Sequence, residues 1–317
     1  MSTVLTSKDV HGIISPVVTP FDERDKVDLD AFRSEVRYIL QFGVTGLLIG
    51  AATGEGYSLT PKESGALYRA AVEEADGRVP IIAGILCTST RDGVGRAKRA
   101  AAAGAAAVLA TPVYYFAPTD DGIYSYYLAL WEEAGLPVIV YNSLSHTPVR
   151  PPLMNRLADI PGVIAVKEGG GGTMDTLGQL LETVTDRIAV TWSQDNLLFP
   201  GYALGAMGSL GAMDSVLPGH SVETFQAVQK GDLETARKIH HGVAGVARAS
   251  YGASFPAGVK AAVNLQGRRG GYPRRPYRTI TKEQEQRIAD ALVAAGVSTV
   301  SAQADPRASY TGLIDNG

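Results

Sequence analysis

Apolar positions along this chain fall into short runs of strand length, each followed by a stretch with helical spacing. Residues 12–21, GIISPVVTPF, form the first run. Residues 28–43, DLDAFRSEVRYILQFG, come next. There Phe32, Val36, Ile39 and Leu40 share one helical face, Asp28 or Asp30 can cap the start, and Gly43 ends it. A second run spans residues 44–50. Its helix begins at a capping box, with Thr60 as cap, Pro61 at the first helical position and Glu63 three residues after the cap.

The same alternation continues through strands at residues 78–85, 105–112, 136–142, 162–167, 187–193 and 206–213. Counting residues 218–231 as the last helix gives eight strand–helix units. The strands are near-continuous apolar runs, as expected when helices cover a parallel sheet. Eight such units in roughly 220 residues predict a closed (β/α)8 TIM barrel rather than an open sheet. Beyond it the spacing predicts helices over 233–249, 256–265 and 282–295. The expected division is a barrel over 1–225, a C-terminal helical extension over 226–300 and a loosely held tail over 301–317.

Composition narrows the function classes. A formal charge of -3 and 45% apolar residues give no reason to expect nucleic acid or an anionic membrane as partner. The arginine-rich segment GRRGGYPRRPYR, residues 267–278, reads as a surface connection before the last helix. Cys87 is the only cysteine, so a reducing compartment is expected. The first residues lack the pattern of a secretory signal, and no apolar stretch reaches membrane-spanning length. A cytoplasmic protein is the expectation.

Barrels of this kind place their chemistry at the C-terminal strand ends. Those ends carry Thr19, the segment Ala52–Glu55, Thr88, Thr111, Tyr114 and Tyr115, Tyr141 and Asn142, Lys167 and Glu168, Ser193, and Leu210. Lys167 is the one clear nucleophile among them. Burial favours the neutral form of a lysine, which can attack a ketone to form a Schiff base. Tyr141, one strand away, is placed to move the protons this requires. The small residues around Thr53 let backbone N–H groups approach a carboxylate. Motifs for zinc hydrolysis, P-loop phosphate binding and serine hydrolysis are missing, and the five histidines lack metal-ligand spacing near the strand ends. His240 and His241 are adjacent, and the helical period points them to different faces.

Taken together and in order, PVVTPFD, ATGEGYSLT, TPVYY, VIVYN, GVIAVKE, QDNLLFPGYALGAMGSLGA and GVKAAVNLQG resemble the dihydrodipicolinate synthase and N-acetylneuraminate lyase superfamily of class I pyruvate-type aldolases. The resemblance runs from about Gly12 to Gly296. It implies a Schiff-base lyase acting on a small-molecule 2-oxo acid, without metal or organic cofactor, assembled as a homotetramer that is a dimer of dimers. By the same resemblance Lys167 is the Schiff-base lysine, and Tyr141 relays protons and orients the carboxylate. Ala52 and Thr53 bind that carboxylate. Tyr115, with Tyr114 as the alternative, is offered to a neighbouring subunit's site.

Some positions depart from the synthase pattern. Ala52 stands where synthases have the first threonine of G-T-T-G-E, and His146 stands where they have an arginine. The loop after the seventh strand has Asp195 and Asn196, half of the acidic pair of sialic acid lyases. A small residue at Ala52 and the segment EGGGGTMDT resemble the ketodeoxyglucarate dehydratase branch instead. The Tyr141–Lys167 interval is two residues shorter than the superfamily pattern. His146, Asp195, Asn196 and Leu210 complete the expected substrate contacts. Aldol cleavage or condensation and dehydration pass through the same imine, so the residues leave that choice open.

Overall fold

Alternation of side-chain direction along each strand sorts the apolar runs onto two faces. In the computed structural model, which describes residues 5–169, 173–252 and 254–300, those faces become two cores. The strands are β1 (Gly12–Val17), β2 (Gly46–Ile49), β3 (Ile81–Ile85), β4 (Ala107–Ala110), β5 (Val138–Asn142), β6 (Val163–Glu168), β7 (Ala189–Trp192) and β8 (Gly208–Ser209). All pairings are parallel and follow chain order, with β8 beside β1. The Met207 N–H donates to the Val190 carbonyl at 2.9 Å and links β7 to the β8 approach, completing the barrel.

Val140, Val166 and Val190 face outward into the large core shared with the helices. Ile139, Tyr141, Ala165, Ala189 and Leu210 belong to a smaller core inside the ring. Alternation along β6 therefore gives Lys167 the same inward parity as Ala165. Val10 belongs to this inner core as well, and Leu5 packs against it.

The helices of the barrel are α1 (Leu29–Ile39), α2 (Pro61–Ala75), α3 (Thr90–Ala102), α4 (Asp120–Ala134), α5 (Pro151–Leu157), α6 (Met174–Thr183), α7 (Leu198–Leu204), α8 (Met213–Val216) and α9 (Pro218–Gln229). Asp28 is the cap of α1, accepting from Ala31 N–H at 2.9 Å. Thr60 and Glu63 form the expected capping box on α2, which is worth about 1 kcal/mol. The last strand is shorter than its apolar run because residues 211–213 turn toward Asp195, which accepts from the Ala212 and Met213 N–H groups.

The C-terminal helices are α10 (Leu233–Tyr251), α11 (Ala257–Asn264) and α12 (Lys282–Ala294). The expected boundary at residue 225 falls within α9. Val246, Val259, Val263 and Ile288 pack into the same core as the outward faces of the strands. The predicted tail 301–317 lies outside the described residues.

The arginine-rich segment is a strap rather than a simple surface connection. The Arg268 side chain, 5% exposed, pairs with Glu35 at 2.6 Å and stacks over Tyr38. Arg274 pairs with Glu63 and lies over the Phe21 ring, while Arg269 and Arg275 pair with Asp28 and Asp25. Four of its five arginines pair with carboxylates around the first two helices, which the local composition did not reveal.

Candidate active site

Lys167 and Tyr141 are directly opposite one another in the β5–β6 pairing, each at the C-terminal end of its strand. Their shared parity turns both side chains into the barrel. Lys167 is only 7% exposed, and its Nζ sits 4.2 Å from the centre of the Tyr141 ring. A lysine amine is thus held on an aromatic face at the floor of the mouth.

The next residues on the two strands point the other way and do a different job. Asn142 Nδ2 donates to Glu168 Oε2 at 2.6 Å and to the Val149 carbonyl at 2.9 Å, and Asn142 Oδ1 accepts from the Val149 N–H. This fixes both ends of the loop that carries His146. Burial pushes the Glu168 carboxyl up to about 7, against the hydrogen bonds from Asn142 and Gly169.

The turn after β2 brings Ala52 against the inner core that holds Tyr141 and Leu210, and Thr53 is buried within the same turn. Its shape depends on close backbone contact. The Gly56 N–H donates to the Ala51 carbonyl, and the Thr19 hydroxyl donates to the Gly54 carbonyl at 2.7 Å. A Cβ on Gly56 would lie 1.6 Å from the Gly50 oxygen, so only glycine fits there.

Beneath the turn lies an ion pair that local sequence reading missed. Glu55, fully buried, meets Lys260 of α11, whose Nζ also donates to the Thr19 and Tyr272 carbonyls at 2.6 Å each. Glu55 Oε2 accepts from the Arg274 N–H. The GEG stretch was visible in the chain, but nothing local indicated a partner 205 residues later.

Asp195 is buried, with both oxygens engaged by the Ala212 and Met213 N–H groups and by the Tyr251 hydroxyl. This occupancy suits a carboxylate that holds the β7 and β8 loops together. Burial raises its pKa, and the nearby Lys167 charge pulls the other way. Tyr251, at the end of α10, was not among the expected site residues. Burial and the adjacent Asp195 raise its hydroxyl well above the ordinary tyrosine value, with a smaller contribution from Tyr141. Behind them Asp214 is pushed up to about 7 by burial and then by Asp195.

The remaining candidates sit further out. His146 is exposed, with Nε2 3.0 Å from the Tyr114 carbonyl. Tyr115 is 75% exposed and meets Phe116 edge-on, so within one chain it projects into solvent. Asn196 is exposed, and its carbonyl accepts from His240 Nε2 at 3.2 Å. Of the glycine run after Lys167, Gly169 donates its N–H to Glu168, and residues 170–172 lie outside the described residues. Among the described residues no cluster of three or more histidine, cysteine or acidic side chains could hold a metal ion.

Comparison with known proteins gives this arrangement its setting. The sequence profile of the dihydrodipicolinate synthetase family matches residues 9–295. The chain belongs to the dihydrodipicolinate synthetase family. Curated members similar to it include the 4-hydroxy-tetrahydrodipicolinate synthase of Enterococcus faecalis, 35% identical over 279 residues, covering 87% of this chain and 96% of that one. That of Nitratidesulfovibrio vulgaris (strain DSM 19637 / Miyazaki F) is 33% identical over 290 residues, covering 90% and 99%. Among solved structures of the family, a dihydrodipicolinate synthase from Bacillus anthracis superposes with a TM-score of 0.85 at 31% identity, covering 90% of this chain and 98% of that one. The Acinetobacter baumannii enzyme complexed with pyruvate gives 0.87 at 26% identity, covering 91% and 99%. The (β/α)8 fold with C-terminal helices is thus shared across the family.

Proposed function

We propose that this protein is a Schiff-base-forming lyase acting on a pyruvate-type 2-oxo acid, with Lys167 as nucleophile. The observation that carries the reading is the inward-facing Lys167 amine on the Tyr141 ring at the paired ends of β5 and β6. The pyruvate complex of the similar Acinetobacter baumannii enzyme supports the substrate class.

In this reading the neutral amine attacks the C2 carbonyl, and loss of water leaves a cationic imine. The imine draws electrons from C3, which releases either a proton or a carbon substituent and becomes an enamine. Tyr141 carries protons to and from the departing oxygen. Thr53 and the amides of the turn at Ala52 hold the carboxylate. Leu210 lines the inner wall, and His146 meets the distal part of the substrate. Asp195 and Tyr251 act as positioning residues for the loop carrying Asn196. Tyr115 serves the site of a second copy within a homotetramer, and the C-terminal helical extension packs onto the barrel by sharing its outer core.

The decisive experiment is borohydride reduction with pyruvate present, followed by peptide mass analysis. One reduced pyruvate on the peptide containing Lys167 is expected, and none in Lys167→Ala. An unmodified Lys167 overturns the reading and leaves a non-catalytic 2-oxo-acid-binding barrel. Tyr141→Phe should slow turnover by about 10²–10⁴-fold while the adduct still forms.

A second reading, 4-hydroxy-tetrahydrodipicolinate synthase itself, is favoured by the names of the similar curated proteins. Ala52 and His146, at the carboxylate turn and the mouth, favour another acceptor. Pyruvate with aspartate semialdehyde tests the synthase. A panel of 3-deoxy-2-oxo sugar acids, and of aldehydes with pyruvate, tests the dehydratase and the other aldolases.

A further inference from the structure

A groove of about 670 Å³ lies between α10 and the start of α7, and neither Lys167 nor Tyr141 lines it. One wall is a stripe of α10: Arg237, His240, His241, Ala244 and Arg248. These positions are spaced i, i+3, i+4, i+7 and i+11, which places them along one broad helix face. The two adjacent histidines therefore border the same groove, although their directions differ by one helical step. Phe199 and Pro200 supply an apolar opposite wall, with Asn196 at its edge.

The charge in this groove has one sign. No acidic side chain lines it. The chain pairs many of its arginines, Arg33, Arg96, Arg156, Arg187, Arg268 and Arg274 among them, with carboxylates. Arg237 and Arg248 have no carboxylate partner among the described residues, and both are exposed. His240 is buried, donates through Nε2 to the Asn196 carbonyl, and keeps Nδ1 without a partner among the described residues. Burial lowers its affinity for a proton, the hydrogen bond to the Asn196 carbonyl opposes this, and His241 and Arg248 add smaller lowering contributions.

We propose that this groove is a second ligand site, distinct from the Lys167 centre, for an elongated organic dianion with an anionic group at each end of an apolar or aromatic body. The two guanidinium groups belong to residues three turns apart, about 16 Å along the helix axis. They can each take a carboxylate or phosphate through charge-assisted hydrogen bonds. Phe199, Pro200 and Ala244 offer the body an apolar bed between them. A small monoanion such as pyruvate would engage only one end and leave the bed uncovered.

Isothermal calorimetry on the full-length protein tests this without reference to catalysis, so its failure is separate from failure of the lyase reading. The probes are biphenyl-4,4'-dicarboxylate, biphenyl-4-carboxylate and adenosine 5'-phosphate. Saturable binding of the dicarboxylate, at least tenfold weaker for the monocarboxylate and in each of Arg237→Ala and Arg248→Ala, is expected. Adenosine 5'-phosphate, whose charge sits at one end only, should bind as weakly as the monocarboxylate, and tighter binding than the dicarboxylate would overturn the proposal. Absence of saturable heat from the dicarboxylate overturns the proposal. So does binding that is unchanged in the Arg237→Ala, Arg248→Ala double variant, with circular dichroism melting confirming its fold.

Discussion

Replacing Lys260 by methionine should destabilise this protein more than almost any other single change. The substitution keeps a long apolar stem but removes the ammonium. Glu55 then remains fully buried with its cationic partner gone, and the Thr19 and Tyr272 carbonyls lose their 2.6 Å donors. Breaking one side of a buried ion pair costs about 3–5 kcal/mol, because the surviving charge is left in a poor solvent. At 2–4 °C per kcal/mol for a large domain, the melting point should fall by roughly 10 °C. Lys260→Met with Glu55→Gln removes the stranded charge and should recover about 1–3 kcal/mol of the loss. Circular dichroism melts and urea titrations of the parent, the two singles and the double variant complete the cycle. The turn at Ala52 and Thr53 rests on Glu55, so the single variant should also trap pyruvate on Lys167 more slowly. A Lys260→Met protein within about 1 kcal/mol of the parent, or a double variant no more stable than the single, would refute the reasoning.

Glu168 makes stability fall with rising pH. Its carboxyl stays protonated to about 7 when folded and to 4.5 when exposed, so unfolding between those values releases a proton. The loss across that window is on the order of 3 kcal/mol. Glu168→Gln should flatten this part of the profile in urea titrations, and superimposable profiles would count against the assignment. Gly84→Ala would place a Cβ 2.5 Å from the Ala51 nitrogen and the Gly50 oxygen, and should cost about 1–3 kcal/mol by thermal melting. An unchanged melting point would show that the turn yields freely. Tyr251→Phe leaves Asp195 with its two backbone donors and should cost about 1–2 kcal/mol, read by the same melts. A cost within error would mean the hydroxyl contributes nothing to holding the loop.

What the chain revealed by itself follows from the range of the interactions involved. The barrel was legible because strand and helix periodicities are local, and the placement of Lys167 and Tyr141 at strand ends was legible because each stands at the end of an apolar run. Their face-to-face pairing needed only the order of the strands. The occupancy of Asp195 was not legible, because two of its three partners are backbone amides that carry no residue signature. Tyr251 and Lys260 were missed for the same reason of distance, each meeting its partner only after α9 turns the chain back. The arginine strap misled because local composition cannot say that four carboxylates 200 or more residues earlier will meet it.

The Glu55–Lys260 pair also has a consequence for how the molecule comes to exist. A ribosome delivers Glu55 early and Lys260 205 residues later, a delay of roughly 10–40 seconds at ordinary elongation rates. Throughout that interval the acid beneath the second turn lacks its Lys260 partner. The turn at Ala52 and Thr53 is therefore completed from its C-terminal side, by a helix made long after its own strand.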